Sequence, residues 1–387
     1  MRAVDGSGLD FALTEDQEAL RQTIREFAES EVAKAAEEHD DAGTVPTELF
    51  PQIAELGLWG ILIPEEFGGA GLGYVEYVTI LQELARVDPS TALTVAAHNS
   101  LGSGHLNQHG NDEQRRRWLP DLAAGNKLAA WALTEPSSGS DAAGLKTVAR
   151  KDGDEWVLDG LKNFITNPNV GEFAIVLALT DEANPQHGVT AFAVDIDGET
   201  CRAGKKENKL GMRTSDTAEL VLSGCRVGAD RVVGELNHGF VDALKVLDGG
   251  RISIAALSLG LHLGCLDQSR KYAKERVAFG KTIASFQAIQ WMLADMEMTY
   301  EAAAALTYRA ALLKDQGQSV NLESSMAKLY ASDACCVAAE RGVQLHGGYG
   351  FIKDYPIERF YRDCKLCTIG EGTSEVQRIV IARQLLS

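Results

Sequence analysis

Near the C-terminus a single carboxylate, Glu371, sits between Gly370 and Gly372 and is followed by Thr373, Ser374 and Glu375. A carboxylate flanked by glycines at a helix entry can be aimed into a cavity, where loss of water raises its pKa toward that of a working general base. The same residues fit a plainer role, an acid at a helix start favoured by the macrodipole. Farther upstream, Trp131-Ala132-Leu133-Thr134-Glu135-Pro136-Ser137-Ser138-Gly139-Ser140-Asp141 is rich in backbone N–H groups and hydroxyls. Such a turn suits an electron-rich heterocycle or a phosphate, and otherwise is simply solvated. Phe164-Ile165-Thr166 adds an aromatic at a strand end, a place where aromatics usually serve the core. Gln344-Leu345-His346-Gly347-Gly348 ends a long helical pattern with glycines that either let backbone approach a ligand or cap the helix. Asp248-Gly249-Gly250-Arg251 is expected to open the first long C-terminal helix, with Arg276, Phe279 and Gly280 near its end. An arginine buried there could hold a carboxylate or phosphate bidentately, or pair between helices.

The elements that must position these residues fall into three zones. Thr14 with Gln17 is a capping-box pattern, and Leu20, Ile24 and Phe27 recur behind it at helical spacing. Leu49, Ile53 and Leu56 mark a second helix after Pro46-Thr47, while Tyr77, Leu81 and Leu84 mark another that Asp88-Pro89 stops. Residues 1–126 are therefore expected to form a helical domain. Short β-prone runs at 156–158, 173–179, 189–194 and 220–227, separated by Gly, Asp and Asn clusters, predict a middle, mostly antiparallel β domain over 127–238. Alanine-rich periodic stretches near 239–275, 284–316 and 321–345 predict a C-terminal helix bundle over 239–387.

Composition narrows the chemistry. With 37 basic and 55 acidic residues among 387, the formal charge of −18 repels phosphodiester backbones, so nucleic acid is not an expected partner. Seven cysteines, two of them adjacent at 335 and 336, give no disulfide framework and fit a reducing compartment, the cytoplasm. The lone CxxC of Cys364 and Cys367 and the absence of HExxH give a metal site no support. Residues 1–12 show no leader pattern, and the apolar stretch at 254–266 is too short for the roughly 20 residues of a membrane span. The glycines at 68, 69, 71 and 73 lack a βαβ setting, which rejects a dinucleotide fingerprint there.

Taken together and in chain order, residues 131–141, 164–166, 248–251, 275–280 with Gln287, 344–348 and 371–375 resemble the acyl-CoA dehydrogenase flavoprotein family, and the match spans nearly the whole chain. The resemblance implies an α+β multidomain fold: a helical N-terminal domain, a middle antiparallel β domain and a C-terminal four-helix bundle, assembled as a homotetramer with FAD. Carried over by position, Trp131, Leu133 and Thr134 would hold the flavin ring, with Gly139 and Ser140 nearer the pyrophosphate and Phe164, Ile165 and Thr166 on the ring's other side. Arg276, Phe279 and Gln287 would reach the FAD of a neighbouring subunit, joined by Gln344, Gly347 and Gly348, while Thr373 and Glu375 close the site. Ser140, Asp248, Arg251, Gly370 and Gly372 would meet the acyl-CoA, and Glu371 would be the base. The implied reaction is α,β-dehydrogenation of a short- to medium-chain, possibly branched, acyl-CoA to the trans-2-enoyl-CoA, with electrons passed to electron-transfer flavoprotein. An acyl thioester on a carrier protein is the alternative substrate. Some relatives carry their base just before the arginine of the 248–251 motif, where this chain has Gly250. Two departures stand out: Gly370 where many relatives have tyrosine, and Phe164 where many have tryptophan.

Overall fold

The computed structural model describes residues 12–184 and 187–386; the leader-peptide reading concerns residues outside them. Thr14 caps α1 (Glu15–Phe27) through the reciprocal pair expected, its hydroxyl accepting from the Gln17 N–H and its own N–H donating to the Gln17 side chain. The helical zone continues through α2 (Ala33–His39), α3 (Phe50–Glu55), α4 (Tyr74–Ala85), α5 (Pro89–Ala96), α6 (Ser103–His109) and α7 (Asp112–Ala123). Asp88 both ends one helix and starts the next, since its carboxylate accepts from the Thr91 N–H while Pro89 takes the first position of α5. Between α5 and α6 the chain widens into a π-helical stretch, Ala97–Gly102, that reaches both neighbouring layers.

The middle zone is one sheet. Its strands are β1 (Ala129–Ala132), β2 (Val148–Asp152), β3 (Glu155–Thr166), β4 (Phe173–Leu179), β5 (Val189–Asp195), β6 (Cys201–Lys206), β7 (Thr217–Gly228) and β8 (Val232–Val233). They run in the order β6-β7-β3-β2-β4-β5-β8, with β1 also paired to β4. Most pairs are antiparallel, but β1 and β2 meet β4 in parallel, so the sheet is mixed. The short strands β1, β2 and β6 lie outside the β-prone runs. β1 is alanine-rich, and it forms because its backbone pairs with the fully buried β4 rather than through side-chain preference.

Then come α8 (Gly239–Glu275), the two-residue strands β9 (Val277–Ala278) and β10 (Lys281–Thr282), and α9 (Gln287–Asp315), α10 (Asn321–His346), α11 (Ile357–Cys367) and α12 (Ser374–Leu386). Asp248 lies more than two turns inside α8, not at its start, so Gly249 and Gly250 interrupt a running helix. Among the described residues α8 is the one helix long and apolar enough to cross a membrane, and 94% of its apolar window is buried in the protein interior.

Among the described residues there are four apolar clusters, the smallest around Tyr272, Ile283 and Leu345, and the other three hold the layers. The largest runs from Ile24 and Tyr77 through Leu257 to Phe360 and Cys367, so the first and last helical zones share one interior. A second seals one face of the sheet (Phe173, Ile175, Leu177) against Leu119 and Trp118 of α7, and the third, around Trp156 and Phe192, fills the other face. In α12 the apolar pattern does not face inward: Ile379, Leu385 and Leu386 are exposed in the single chain.

Candidate active site

Glu371 is held in a conformation a glutamate rarely adopts. Its φ is +53° and that of Gly372 is +94°, two consecutive residues on the left-handed side between α11 and α12. Such a backbone persists only when its surroundings over-determine it. Here the Gly372 carbonyl accepts from Lys328 Nζ at 2.8 Å and from Gln377 Nε2 at 2.9 Å, while Gln377 Nε2 also lies 3.3 Å from the Glu371 carbonyl. The loop so fixed drives the Glu371 side chain onto α8, where a Cβ on Gly250 would stand 1.7 Å from Oε2. Oε2 is buried and accepts no hydrogen bond. Burial therefore pushes the carboxyl up to about 7, against the opposing pull of the Lys328 and Arg251 charges. Among the described residues the backbone N–H of Glu371 likewise has no acceptor.

Around the carboxylate, α8 presents bare backbone. At Gly249, next to Gly250, a Cβ would meet the Tyr74 hydroxyl at 2.5 Å. Leu101, from the π-helical stretch, approaches the Gly250 Cβ position to 3.2 Å. Asp248 and Arg251 face each other at 2.8 Å on the same helix, and Asp248 also accepts from Asn321 of α10 at 2.9 Å. The expected substrate contacts are thus narrowed: buried Arg251 and half-buried Asp248 are mutually engaged, with Arg251 Nε as a buried donor that has no partner among the described residues. Gly370 has ordinary φ, and a Cβ there would come no closer than 3.5 Å to the atoms around it, so its lack of a side chain leaves open room beside Glu371.

The 131–141 segment starts in β1 and leaves the sheet as a turn in which Glu135 and Ser138 exchange backbone hydrogen bonds. Its anchor is a buried ion pair: Glu135 accepts from Lys162 Nζ at 2.7 Å and from the N–H groups of Lys146 and Thr147, and Lys162 also donates to the Leu133 carbonyl. The Asn163 N–H donates to the Thr134 carbonyl at 2.8 Å, tying this turn to β3. There a register shift between Lys162 and Ile165 lifts Phe164 out of the ladder into φ +57°, leaving it 62% exposed. The side chains of Leu133 and Ile165 go to the cores instead, so these two can offer only backbone to a ligand. Trp131 donates its indole N–H to His105 Nδ1 at 3.1 Å, Thr166 is half-buried at the end of β3, and Gly139 and Ser140 are exposed. The π-helical stretch bridges this region to the base, since Gly102 packs on Ala129 and His98 accepts from the Ala129 N–H while Leu101 faces Gly250.

A cavity of about 530 Å³ opens at the other end of α8 and α10, lined by Tyr272, Arg276, His346, Gly347, Gly348 and Tyr349 among others. The Arg276 guanidinium lies over the Tyr349 ring at 5.3 Å. A Cβ at Gly347 or Gly348 would meet nothing within 4 Å, which is the open backbone surface a ligand needs; Gly347, at φ +61°, is also the cap of α10. Phe279 is 94% exposed, and Gln287 and Gln344 are exposed as well. Among the described residues, no hydrogen bond or ring contact joins this group to the 131–141 turn. Within one chain the two sets are separate. Both fit parts of FAD: an exposed aromatic face and polar turn for a flavin ring, and an open glycine cradle with a guanidinium for the nucleotide half.

Thr373 starts α12, its hydroxyl accepting from the Val376 N–H, and Glu375 points to solvent. Sequence reasoning passed over Lys328, Gln377, Lys162, Tyr74 and Asn321. One signal was available for Lys328, which falls on the small, apolar stripe of α10 with Ser324, Ala331 and Cys335.

Two helical zones fused through one core, a mixed sheet beside them and one carboxylate aimed across bare helix define an α+β fold of the kind that builds an enzyme site between its layers. Profiles of three domains match in chain order: acyl-CoA dehydrogenase N-terminal domain over residues 14–126, middle domain over 130–225 and C-terminal domain over 237–386. A short-chain specific acyl-CoA dehydrogenase of Clostridium acetobutylicum is 41% identical over 97% of this chain and 100% of its own length. The caffeyl-CoA reductase-Etf complex subunit CarC of Acetobacterium woodii is 42% identical over 96% of this chain and 99% of its own. Among solved structures, butyryl-CoA dehydrogenase from Megasphaera elsdenii superposes with a TM-score of 0.96 at 39% identity, covering 98% of this chain and 100% of that one. The chain belongs to the acyl-CoA dehydrogenase family.

Proposed function

We propose that this enzyme dehydrogenates a short-chain acyl-CoA to its trans-2-enoyl thioester with Glu371 as the base. The observation that carries this is the half-buried Glu371, whose carboxylate has its Oε2 buried and unpartnered and its pKa raised to about 7, on a strained loop. A saturated thioester yields an α-proton only if the oxygen of the developing enolate is stabilised while a base waits at the carbon. The backbone N–H of Glu371, without an acceptor among the described residues, would donate to that oxygen, and such a donor typically supplies about 3 kcal/mol of barrier lowering. Glu371 takes the proton, and the cores behind α8 keep water from competing. FAD, when bound, accepts the hydride released from the β-carbon. Thr134, Phe164 and the 131–141 amides would hold its ring, and Arg276, Gly347 and Gly348 of a neighbouring subunit its nucleotide half.

That division of the cofactor site supports a homotetramer, as do the exposed Phe279, Phe351, Ile379 and Leu386. Electron-transfer flavoprotein as acceptor rests on relatives such as the Etf-complex subunit. Relatives named for CoA substrates favour CoA over a carrier protein. A cytoplasmic location agrees with the cysteines, all free among the described residues. The test is Glu371→Gln: flavin and acyl-CoA binding should persist while turnover falls by about 10²- to 10⁴-fold. Near-normal turnover would remove Glu371 from the mechanism.

A further inference from the structure

Lys328 is buried completely, midway along α10, where a bundle core would accept methionine without penalty. Removing an ammonium from water costs several kcal/mol unless charge and hydrogen bonds replace the lost solvation. Among the described residues no carboxylate lies within ion-pair distance of it, and its hydrogen bond goes to the Gly372 carbonyl at 2.8 Å. Of the carboxylates it feels, Asp333 is already engaged by Ser374 and Arg378, which leaves Glu371. We infer that Lys328 is a positioning residue for the reaction: its ammonium clamps the Glu371–Gly372 loop through the Gly372 carbonyl and supplies the positive charge that favours the ionised, proton-accepting form of Glu371.

The inference rests on Glu371 being the base. The charged and titratable groups that face that carboxylate are Lys328 from α10, Arg251 from α8, itself paired with Asp248, and the Tyr74 and Tyr77 phenols from α4. Arg251 is largely spoken for by Asp248 at 2.8 Å, which leaves Lys328 as the cation without an ion-pair partner. Gln377 makes a nearly equivalent bond to the same carbonyl, at 2.9 Å, with no charge. Clamping and charge are therefore separable by experiment.

The flavin-loaded enzyme is assayed for kcat/KM against pH with butyryl-CoA and a dye acceptor. Lys328→Met should move the midpoint of the acid limb upward by about one pH unit, because a nearby cation is lost. Gln377→Leu should lower kcat across the pH range and leave the midpoint in place. Lys328→Arg should keep the midpoint close to wild type. If Lys328→Met yields no flavin-loaded protein, Lys328→Gln, which keeps a donor and drops the charge, carries the same comparison. A Lys328→Met or Lys328→Gln midpoint equal to wild type, or a Gln377→Leu midpoint displaced as far, overturns the inference. Glu371→Gln separates the two levels: if it is inactive while the lysine variants titrate like wild type, only the inference fails; if it is active, the assignment of the base fails.

Discussion

Replacing Gly250 by alanine tests the geometry of the base without touching the base. A Cβ there would lie 1.7 Å from Glu371 Oε2 and 2.8 Å from its Cδ, and side-chain carbons essentially never approach other atoms closer than 3.0 Å. The carboxylate must then retreat by at least 1.3 Å, the difference between 3.0 and 1.7. Because Oε2 is the tip of a flexible side chain, it can move without unfolding anything. A misplacement of about 1 Å in a reacting group costs roughly 100-fold, or about 2.7 kcal/mol of barrier. The helix itself gains, since alanine is favoured over glycine in a helix interior by about 1 kcal/mol. Gly250→Ala should therefore melt no lower than wild type, retain FAD, and turn over butyryl-CoA about 100-fold more slowly when flavin bleaching is followed anaerobically. Gly249→Ala is the matched control: its Cβ meets the Tyr74 hydroxyl at 2.5 Å, asks for a far smaller shift and leaves the carboxylate alone, so its loss should stay under about tenfold. A flavin-loaded Gly250→Ala enzyme within about threefold of wild-type turnover would refute the placement of Glu371 over α8 and the reasoning built on it.

The raised pKa of Glu371 also has a stability consequence. A carboxyl whose folded pKa is lifted from 4.5 to about 7 keeps its proton longer in the native state than in the unfolded chain, so stability falls as pH rises across that interval. Glu371→Gln should accordingly melt above wild type at pH 8, with the gap closing toward pH 4.5, the ordinary value for the group; equal melting temperatures across the range would contradict the burial. Lys162→Met should strand Glu135 in the interior beneath the 131–141 turn, costing about 3–5 kcal/mol and loosening FAD, with the Lys162→Met, Glu135→Met double variant recovering much of the loss. Denaturant melts and flavin retention on gel filtration read both effects, and a single-variant cost under about 1 kcal/mol would mean the pair does not anchor the turn.

The long, strongly periodic elements were legible. The stretches expected near 239–275, 284–316 and 321–345 appear as Gly239–Glu275, Gln287–Asp315 and Asn321–His346, and the buried strands Phe173–Leu179 and Val189–Asp195 match their β-prone runs. What escaped depends on partners distant in sequence. β1 is alanine-rich and exists because β4 is beside it. Gly249 and Gly250 look like a helix opening, and only the crossing of Tyr74 and Glu371 above them explains why they sit inside one. The glycines around Glu371 did signal an aimed carboxylate, but not the lysine 43 residues earlier whose ammonium fixes the loop. Apolar residues of α12 follow a helical pattern yet face outward, because that pattern serves a surface rather than this chain's own core.

Several locally unfavourable features converge on one place. Two consecutive glycines weaken α8 by about 1 kcal/mol each relative to alanine, and a left-handed glutamate costs about as much again. Beneath them, among the described residues, lie an ammonium with no ion-pair partner and beside it a carboxylate oxygen with no donor. Each departure alone would be selected against in a structural core, where methionine, alanine and a trimmed loop would pack better. Together they have one geometric result: a carboxylate held against bare helix backbone, with Oε2 buried and its pKa raised to about 7. Sequences break local rules where function requires it. The 131–141 turn repeats the logic, since Glu135 and Lys162 bury opposite charges to hold a loop whose amides and hydroxyls remain free for a ligand. The strain at the two sites is thus spent on orientation, which is what abstraction of a weakly acidic C–H proton demands.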